Sequence, residues 1–156
     1  LREVKSAVLE NIAEQNNQLN VKVAPEVDVM LTDVAKLRKI LVHLLDNASK
    51  FTIGGTVNLD VTQIKREGMN FVRFVVSDSG IGMNEDQINR IFDPFTQADE
   101  SLTRSFEGTG LGLYISSQFV KKMGGDIAVL RSEPGVGTEF EVVVPKEIVL
   151  PGSEGQ

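Results

Sequence analysis

Apolar positions along the chain change their spacing several times, and each change marks an element. Residues 2–16 place Val4, Val8, Leu9 and Ile12 on one side of a helix. "QLNVKVAP" alternates, which predicts a short strand ended by Pro25. "TDVAKLRKILVHLLDNASKF" is the clearest helix: Thr32 or Asp33 can cap it, and Val34, Leu37, Leu41, Leu44 and Ala48 form an apolar stripe. Gly54-Gly55 breaks the chain there. "TVNLDVTQIK" and "NFVRFVVSD" read as two strands joined through Glu67-Gly68-Met69 as a hairpin.

A short helix, "EDQINRIF", starts at Asn84 or Asp86. From Asp93 to Glu107 the polar segment "DPFTQADESLTRSFE" follows neither period, and a loop of that length is often a lid. The next helix carries Leu111, Ile115, Phe119 and Met123 at a spacing of four and ends at Gly124-Gly125. "DIAVLRS" and "TEFEVVVP" are two further strands around a Gly135-Val136-Gly137 turn, and residues 147–156 form a frayed tail. Helices and strands alternate in blocks rather than as strict βαβ units. This predicts an α+β sandwich, one mixed sheet with helices on one face.

Composition narrows the possibilities. The 156 residues suit one domain, and 41% hydrophobic with 24% charged residues is ordinary for a soluble globular protein. Twenty-two acids against 16 bases leave a net charge of −6, which argues against a bulk electrostatic hold on nucleic acid. An anionic ligand would need a local cluster or backbone N–H groups. The absence of cysteine excludes disulfides and thiolate metal sites. No apolar run reaches the ~20 residues that span a bilayer, and no signal peptide is visible. The chain opens on Leu1 rather than Met, which suggests a piece of something longer.

Three stretches can carry chemistry. On the long helix, Lys36, Lys39, His43, Asn47 and Lys50 share a face nearly opposite the apolar stripe. Such a face is commonly just solvated; it could also gather around an anion and its metal, because an Asn carbonyl suits Mg²⁺. In "SDSGIGM", at a strand end, Asp78, Gly80 and Gly82 read as a turn. They read equally as a pocket floor: Asp78 accepting from an exocyclic amine, with the glycines letting backbone approach a flat ring. That carboxylate would favour adenine and repel the oxygen that guanine carries at the same position. In "FEGTGLGLYI", Gly108, Gly110 and Gly112 stand where a helix begins. Neither GxxxxGK[ST] nor a strand followed by GxGxxG is present. The stretch is either a flexible connector or a helix head whose N–H groups turn toward phosphate oxygens. "EPGVGTEF" reads as a plain hairpin turn, and Phe92, Phe95 and Phe106 as core or lid packing.

In order, "HLLDNASKF", "DSGIGM", "IFDPFTQAD", "GTGLGL" and "GVGTEF" resemble the N, G1, F, G2 and G3 boxes of the catalytic, ATP-binding domain of sensor histidine kinases. The wider superfamily is that of gyrase, Hsp90, histidine kinase and MutL. The resemblance covers residues 1–146, and the "PFTQAD" and "SLTR…GTGLGL" variants look hybrid-type. It implies a Bergerat fold: a two-layer α/β sandwich, a mixed sheet of about five strands, about three helices on one face and a mobile ATP lid. It also implies ATP and Mg²⁺ as ligands. Asn47 would coordinate the metal, Lys50 would neutralise phosphate, and Phe51 would lie against the nucleoside. Asp78, flanked by Gly80 and Gly82, would read adenine. Gly108, Thr109, Gly110, Leu111 and Gly112 would border the phosphates, Thr138 would help hold the base through water, and Arg104 would reach phosphate from the closing lid.

Three departures from the family pattern stand out. His43 occupies the position where the N box often carries a first Asn, and where ATP-hydrolysing relatives carry a catalytic Glu; it could ligate, accept a proton or fill space. Thr96-Gln97 replace a Tyr-Arg pair of the F box. No phosphoacceptor motif resembling "HExRTP" is present, His43 being the sole histidine. The resemblance therefore implies a catalytic domain whose γ-phosphoryl acceptor is a histidine on a separate dimerisation domain, through which a response regulator is served. The expected domain is cytoplasmic and monomeric when isolated, without direct membrane or nucleic-acid contact, in a parent protein open to membrane anchoring. A regulatory nucleotide-binding pseudokinase and a self-sufficient superfamily ATPase are the rival readings.

Overall fold

The computed structural model describes residues 2–27, 34–92 and 112–146. Helix α1 (Arg2–Glu14) leads to strand β1 (Gln18–Val23), and α2 (Val34–Lys50) to β2 (Thr56–Arg66) and β3 (Met69–Asp78). The short α3 (Glu85–Arg90), α4 (Gly112–Lys122), β4 (Asp126–Glu133) and β5 (Gly137–Pro145) complete the order. The strands form one five-stranded sheet in the order β1-β2-β3-β5-β4. β1 runs parallel to β2, and the other neighbours are antiparallel. The expected mixed sheet, α+β class and helical layer are all present. No helix among the described residues is long and apolar enough to cross a membrane.

Strand alternation builds the core. Val57, Leu59 and Val61 of β2, Val72, Phe74 and Val76 of β3, and Phe140, Val142 and Val144 of β5 are buried on one face. α2 lies at the centre of the helical layer, between α1 and α4. It buries Ile40, Leu41, Leu44, Leu45 and Ala48, while Leu37 is only partly covered. The outer face of the sheet carries charge pairs instead: Arg73 with Glu141, Arg131 with Glu139 at 3.7 Å, and Arg66 with Asp126 at 2.8 Å. Arg66 also lies 5.5 Å over the Phe71 ring.

Two helix faces differ from the expected ones. On α1, Val4, Val8 and Ile12 are buried, but Leu9 is 45% exposed. On α4, Phe119 of the expected stripe packs against the core and Met123, just past the helix end, is buried, but Ile115 is 43% exposed, and the rest of the buried face is Leu113, Ser116, Ser117 and Val120. Both stripes suit a helical period. The packed one contains two serines, which a search for apolar residues passes over; Ser117 is satisfied by donating to the Tyr114 carbonyl at 2.7 Å. Leu111 lies outside the described residues, as do the proposed caps Thr32 and Asp33, the 93–107 segment and the 147–156 tail.

The turn signals are sharper. Asn84 caps α3 through a reciprocal pair, Gln87 N–H to Asn84 Oδ1 at 2.9 Å and Asn84 N–H to Gln87 Oε1 at 2.8 Å. The hairpin between β2 and β3 is tighter than expected: Met69 already pairs with Arg66, leaving Glu67 and Gly68 as a two-residue loop. Both have positive φ, 50° and 80°. That geometry favours Asn-Gly, and a glutamate in the left-handed region is strained. Glu67→Asn is therefore expected to stabilise the domain by about 0.5–1 kcal/mol, read as a rise of roughly 2 °C in Tm in a thermal melt.

Candidate functional site

The sheet register places three polar side chains in a row at one end of the core face. Asp78 on β3 pairs with Thr138 on β5, which pairs with Ser132 on β4. Above this row the end of α2 brings Asn47, Ala48 and Phe51. Together with Asp78, Thr138, Gly82 and the apolar side chains of Ile81, Met83, Ile91, Leu113 and Phe140, they line an open cleft of about 420 Å³ counted with the solvent space at its mouth. Mostly apolar walls with a few converging polar groups are typical of small-molecule sites. Phe92, expected as packing, meets Phe140 edge-on at 6.2 Å behind one wall.

Loop 79–83 is held by backbone on both sides. Ile81 N–H donates to the Phe51 carbonyl at 3.1 Å, and the Ile81 carbonyl accepts from Gly135 N–H at 2.7 Å. A Cβ on Gly80 would sit 2.2 Å from the Phe51 oxygen, and one on Gly82 1.9 Å from the Glu133 oxygen. The glycines of this loop thus admit neighbouring backbone rather than only a planar ligand; Gly82 borders the cleft and Gly80 does not. Gly137 follows the same logic. A Cβ there would lie 1.9 Å from the backbone carbonyl oxygen of Asp78, so the β4–β5 hairpin is more than the plain turn its sequence suggested.

Burial raises the pKa of Asp78, and hydrogen bonding opposes the rise. Gly80 N–H donates to Asp78 Oδ1 at 2.9 Å, and the Thr138 N–H acts in the same sense. The nearby Thr52 hydroxyl also favours the anion as a weaker donor; its oxygen is buried and meets no partner at full hydrogen-bond geometry. Asp78 is therefore a partly buried acceptor whose N–H partners hold it in place.

The other expected residues divide. Asn47, Phe51, Asp78, Gly82 and Thr138 meet at the cleft. His43 and Lys50, half-buried on the same helix, do not line it. Gly112 begins α4, whereas Arg104, Gly108, Thr109, Gly110 and Leu111 lie outside the described residues. His43 has a lowered pKa, chiefly through burial, then through the Lys50 ammonium, with Asp46 opposing. The imidazole is thus neutral at physiological pH. Among the described residues no group of three or more His, Cys, Asp or Glu could hold a metal. Asn47 itself offers an amide carbonyl oxygen, a donor type that suits Mg²⁺.

Several contributors have no motif. Asn17 clamps the end of α2: its Nδ2 donates to the Thr52 carbonyl at 2.8 Å and the Ser49 carbonyl at 3.1 Å, and its Oδ1 accepts from Gly55 N–H at 3.0 Å. Only proximity across the fold reveals Asn17, Thr52 and Ser132 as neighbours of the cleft.

Residues 32–148 match the model of the histidine kinase-, DNA gyrase B- and HSP90-like ATPase family. The chain belongs to this family. It is 37% identical over 143 residues to hybrid signal transduction histidine kinase B of Dictyostelium discoideum, an alignment covering 88% of this chain and 7% of that protein. Over 124 residues it is 39% identical to the sensor histidine kinase RcsC of Escherichia coli strain K12, covering 79% and 12%. The ATPase-family chain therefore corresponds to a small part of these relatives. The crystal structure of full-length ShkA in complex with AMPPNP superposes with a TM-score of 0.78 at 34% identity, over 92% of this chain and 28% of that one. The nucleotide-free catalytic domain of the histidine kinase ThkA gives 0.75 at 26% identity, over 94% and 90%.

The depressed pKa of His43 has a consequence for stability. Between its folded value and the ordinary 6.5, the unfolded chain binds the extra proton. Stability is then lost as pH falls below 6.5, and His43→Asn is expected to flatten that slope. Urea unfolding at pH 7.5 and 5.5 measures it: the parent should lose more stability than the variant.

Proposed function

We propose that this chain is the ATP-binding catalytic domain of a sensor histidine kinase, delivering the γ-phosphoryl group of ATP to a histidine on a separate dimerisation domain. The observation that carries the reading is Asp78: a partly buried carboxylate on the floor of an apolar cleft, held by backbone N–H groups, beside the helix that bears Asn47. The relatives' names support the kinase class, and the AMPPNP complex of full-length ShkA supports a nucleotide as the ligand.

The adenine amino group would donate to Asp78, with Thr138 beside it and Phe51 and Met83 supplying apolar wall. Asn47 would hold Mg²⁺ together with phosphate oxygens; the ion would neutralise phosphate charge. Lys50 would add a cation close to that end of the helix. Gly108, Thr109, Gly110, Leu111 and Gly112 are assigned to the phosphates, as is Arg104. Phosphoryl transfer asks mainly for positioning and charge neutralisation, and these groups supply both. The nucleophile, a neutral imidazole, must arrive from another domain. The place of action is the cytoplasm, where ATP is supplied, and a response regulator would be served through the acceptor domain.

Asp78→Asn is expected to weaken ADP binding by roughly 1.5–3 kcal/mol, the size of a hydrogen bond to a charged group. Calorimetry on the isolated chain measures this, and unchanged affinity would remove the adenine assignment.

Transfer is tested with γ-labelled ATP, with and without an acceptor domain. Acid-labile label on the acceptor, and none on this chain alone, is the expected result. Tight nucleotide binding without transfer would instead favour a regulatory, non-catalytic module.

A further inference from the structure

β4 contains a register shift between Val129 and Arg131. Strict alternation would send Arg131 to the core face with Ile127 and Val129, and Ser132 outward. The extra residue at the shift, Leu130, exchanges the two faces, as β-bulges do. Arg131 lies beside Glu139 on the outer face, and Ser132 stands opposite Thr138 on the core face. The bulge therefore aims one hydroxyl at the polar row beneath the cleft.

Ser132 Oγ accepts from Met83 N–H at 2.8 Å and lies 2.8 Å from Thr138 Oγ1. Its alternative acceptor, the Gly137 carbonyl, is at 3.4 Å. Each hydroxyl has one proton, and the 2.8 Å contact accommodates either donor, so an acceptor in the cleft that takes the Thr138 proton selects the arrangement in which Ser132 donates. With Ser132 donating, Thr138 accepts on that side and keeps its own proton for the cleft, which it lines beside Asp78.

We propose that Ser132 is a positioning residue for base selection: it orients the Thr138 hydroxyl as a donor toward the cleft, so that Asp78 and Thr138 offer an acceptor and a donor side by side. That pair complements the amino group and the adjacent ring nitrogen of adenine. It mismatches hypoxanthine, which presents a carbonyl and an N–H at the same two positions. A single bridging water between Thr138 and the base preserves this polarity, because it accepts from one and donates to the other. The inference rests on the adenine reading of Asp78 given above.

The test is calorimetric titration of the chain with ADP and with inosine diphosphate, for the parent and for Ser132→Ala, Thr138→Val, their combination, Ser132→Thr and Asp78→Asn. Ser132→Ala should weaken ADP binding roughly three- to tenfold while changing inosine diphosphate little, which narrows the preference. The double variant should bind as Thr138→Val does, because Ser132 acts through that hydroxyl. Ser132→Thr should restore the preference. A purely structural serine would lower the melting temperature and leave the ADP-to-inosine-diphosphate ratio unchanged; that result, or losses that multiply in the double variant, overturns the proposal. If Ser132→Ala does not fold, Ser132→Cys, similar in size and a weaker donor, carries the same comparison, and an unchanged ratio again overturns it. Asp78→Asn separates the two levels. Loss of ADP affinity there with an unaltered ratio in Ser132→Ala rejects Ser132 alone, whereas no loss there rejects the adenine reading and the proposal with it.

Discussion

Backbone packed against backbone at the end of the sheet is the constraint on which the cleft depends. Loop 79–83 lies between the last turn of α2, through the Phe51 carbonyl, and the β4–β5 hairpin, through Gly135 N–H and Ser132 Oγ. Such approaches leave no room for a Cβ at Gly80, Gly82 or Gly137. Because the loop is tied on both sides, Asp78 at its root and Met83 at its far end have defined positions relative to Asn47. If either tie loosened, the acceptor at the cleft floor and the helix carrying the proposed metal ligand would move independently.

The same arrangement explains how a carboxylate is kept in a poorly hydrated place. Burial works against its charge, and the N–H groups of Gly80 and Thr138 offset part of that penalty. Both donors are backbone groups set by the strand pairing and the tight turn. Their positions follow from the fold and need no side-chain ordering at the moment a ligand arrives. Asn17 extends this logic to the other wall, where one amide side chain satisfies two carbonyls and an N–H at the end of α2 and the following turn.

The outer face of the sheet is managed differently. The face opposite the helical layer carries cross-strand ion pairs among the described residues, and Arg66 reaches over Phe71 to Asp126 on a strand that is not its neighbour. This polar covering leaves the core face free to hold the apolar rows and, at one end, the polar row that forms the cleft floor.

Much was legible in the residues alone. Alternation identified the strands, periodicity identified α2, and Asn84, Gly68 and Gly124 marked a cap, a tight turn and a helix end, because local backbone chemistry depends on local residues. The ordered glycine and asparagine boxes named the family that the comparison then showed. What the chain order could not settle was which of two plausible helix faces would pack, as with Ile115 against Ser116 and Ser117, because burial is decided by the partner surface. Nor could it show that a bulge would turn Ser132 inward, that Asn17 would clamp a helix 32 residues away, or that Gly80 and Gly137 would meet carbonyls. Those contacts join segments far apart in the chain, and they exist only once the sheet has brought its strand ends together.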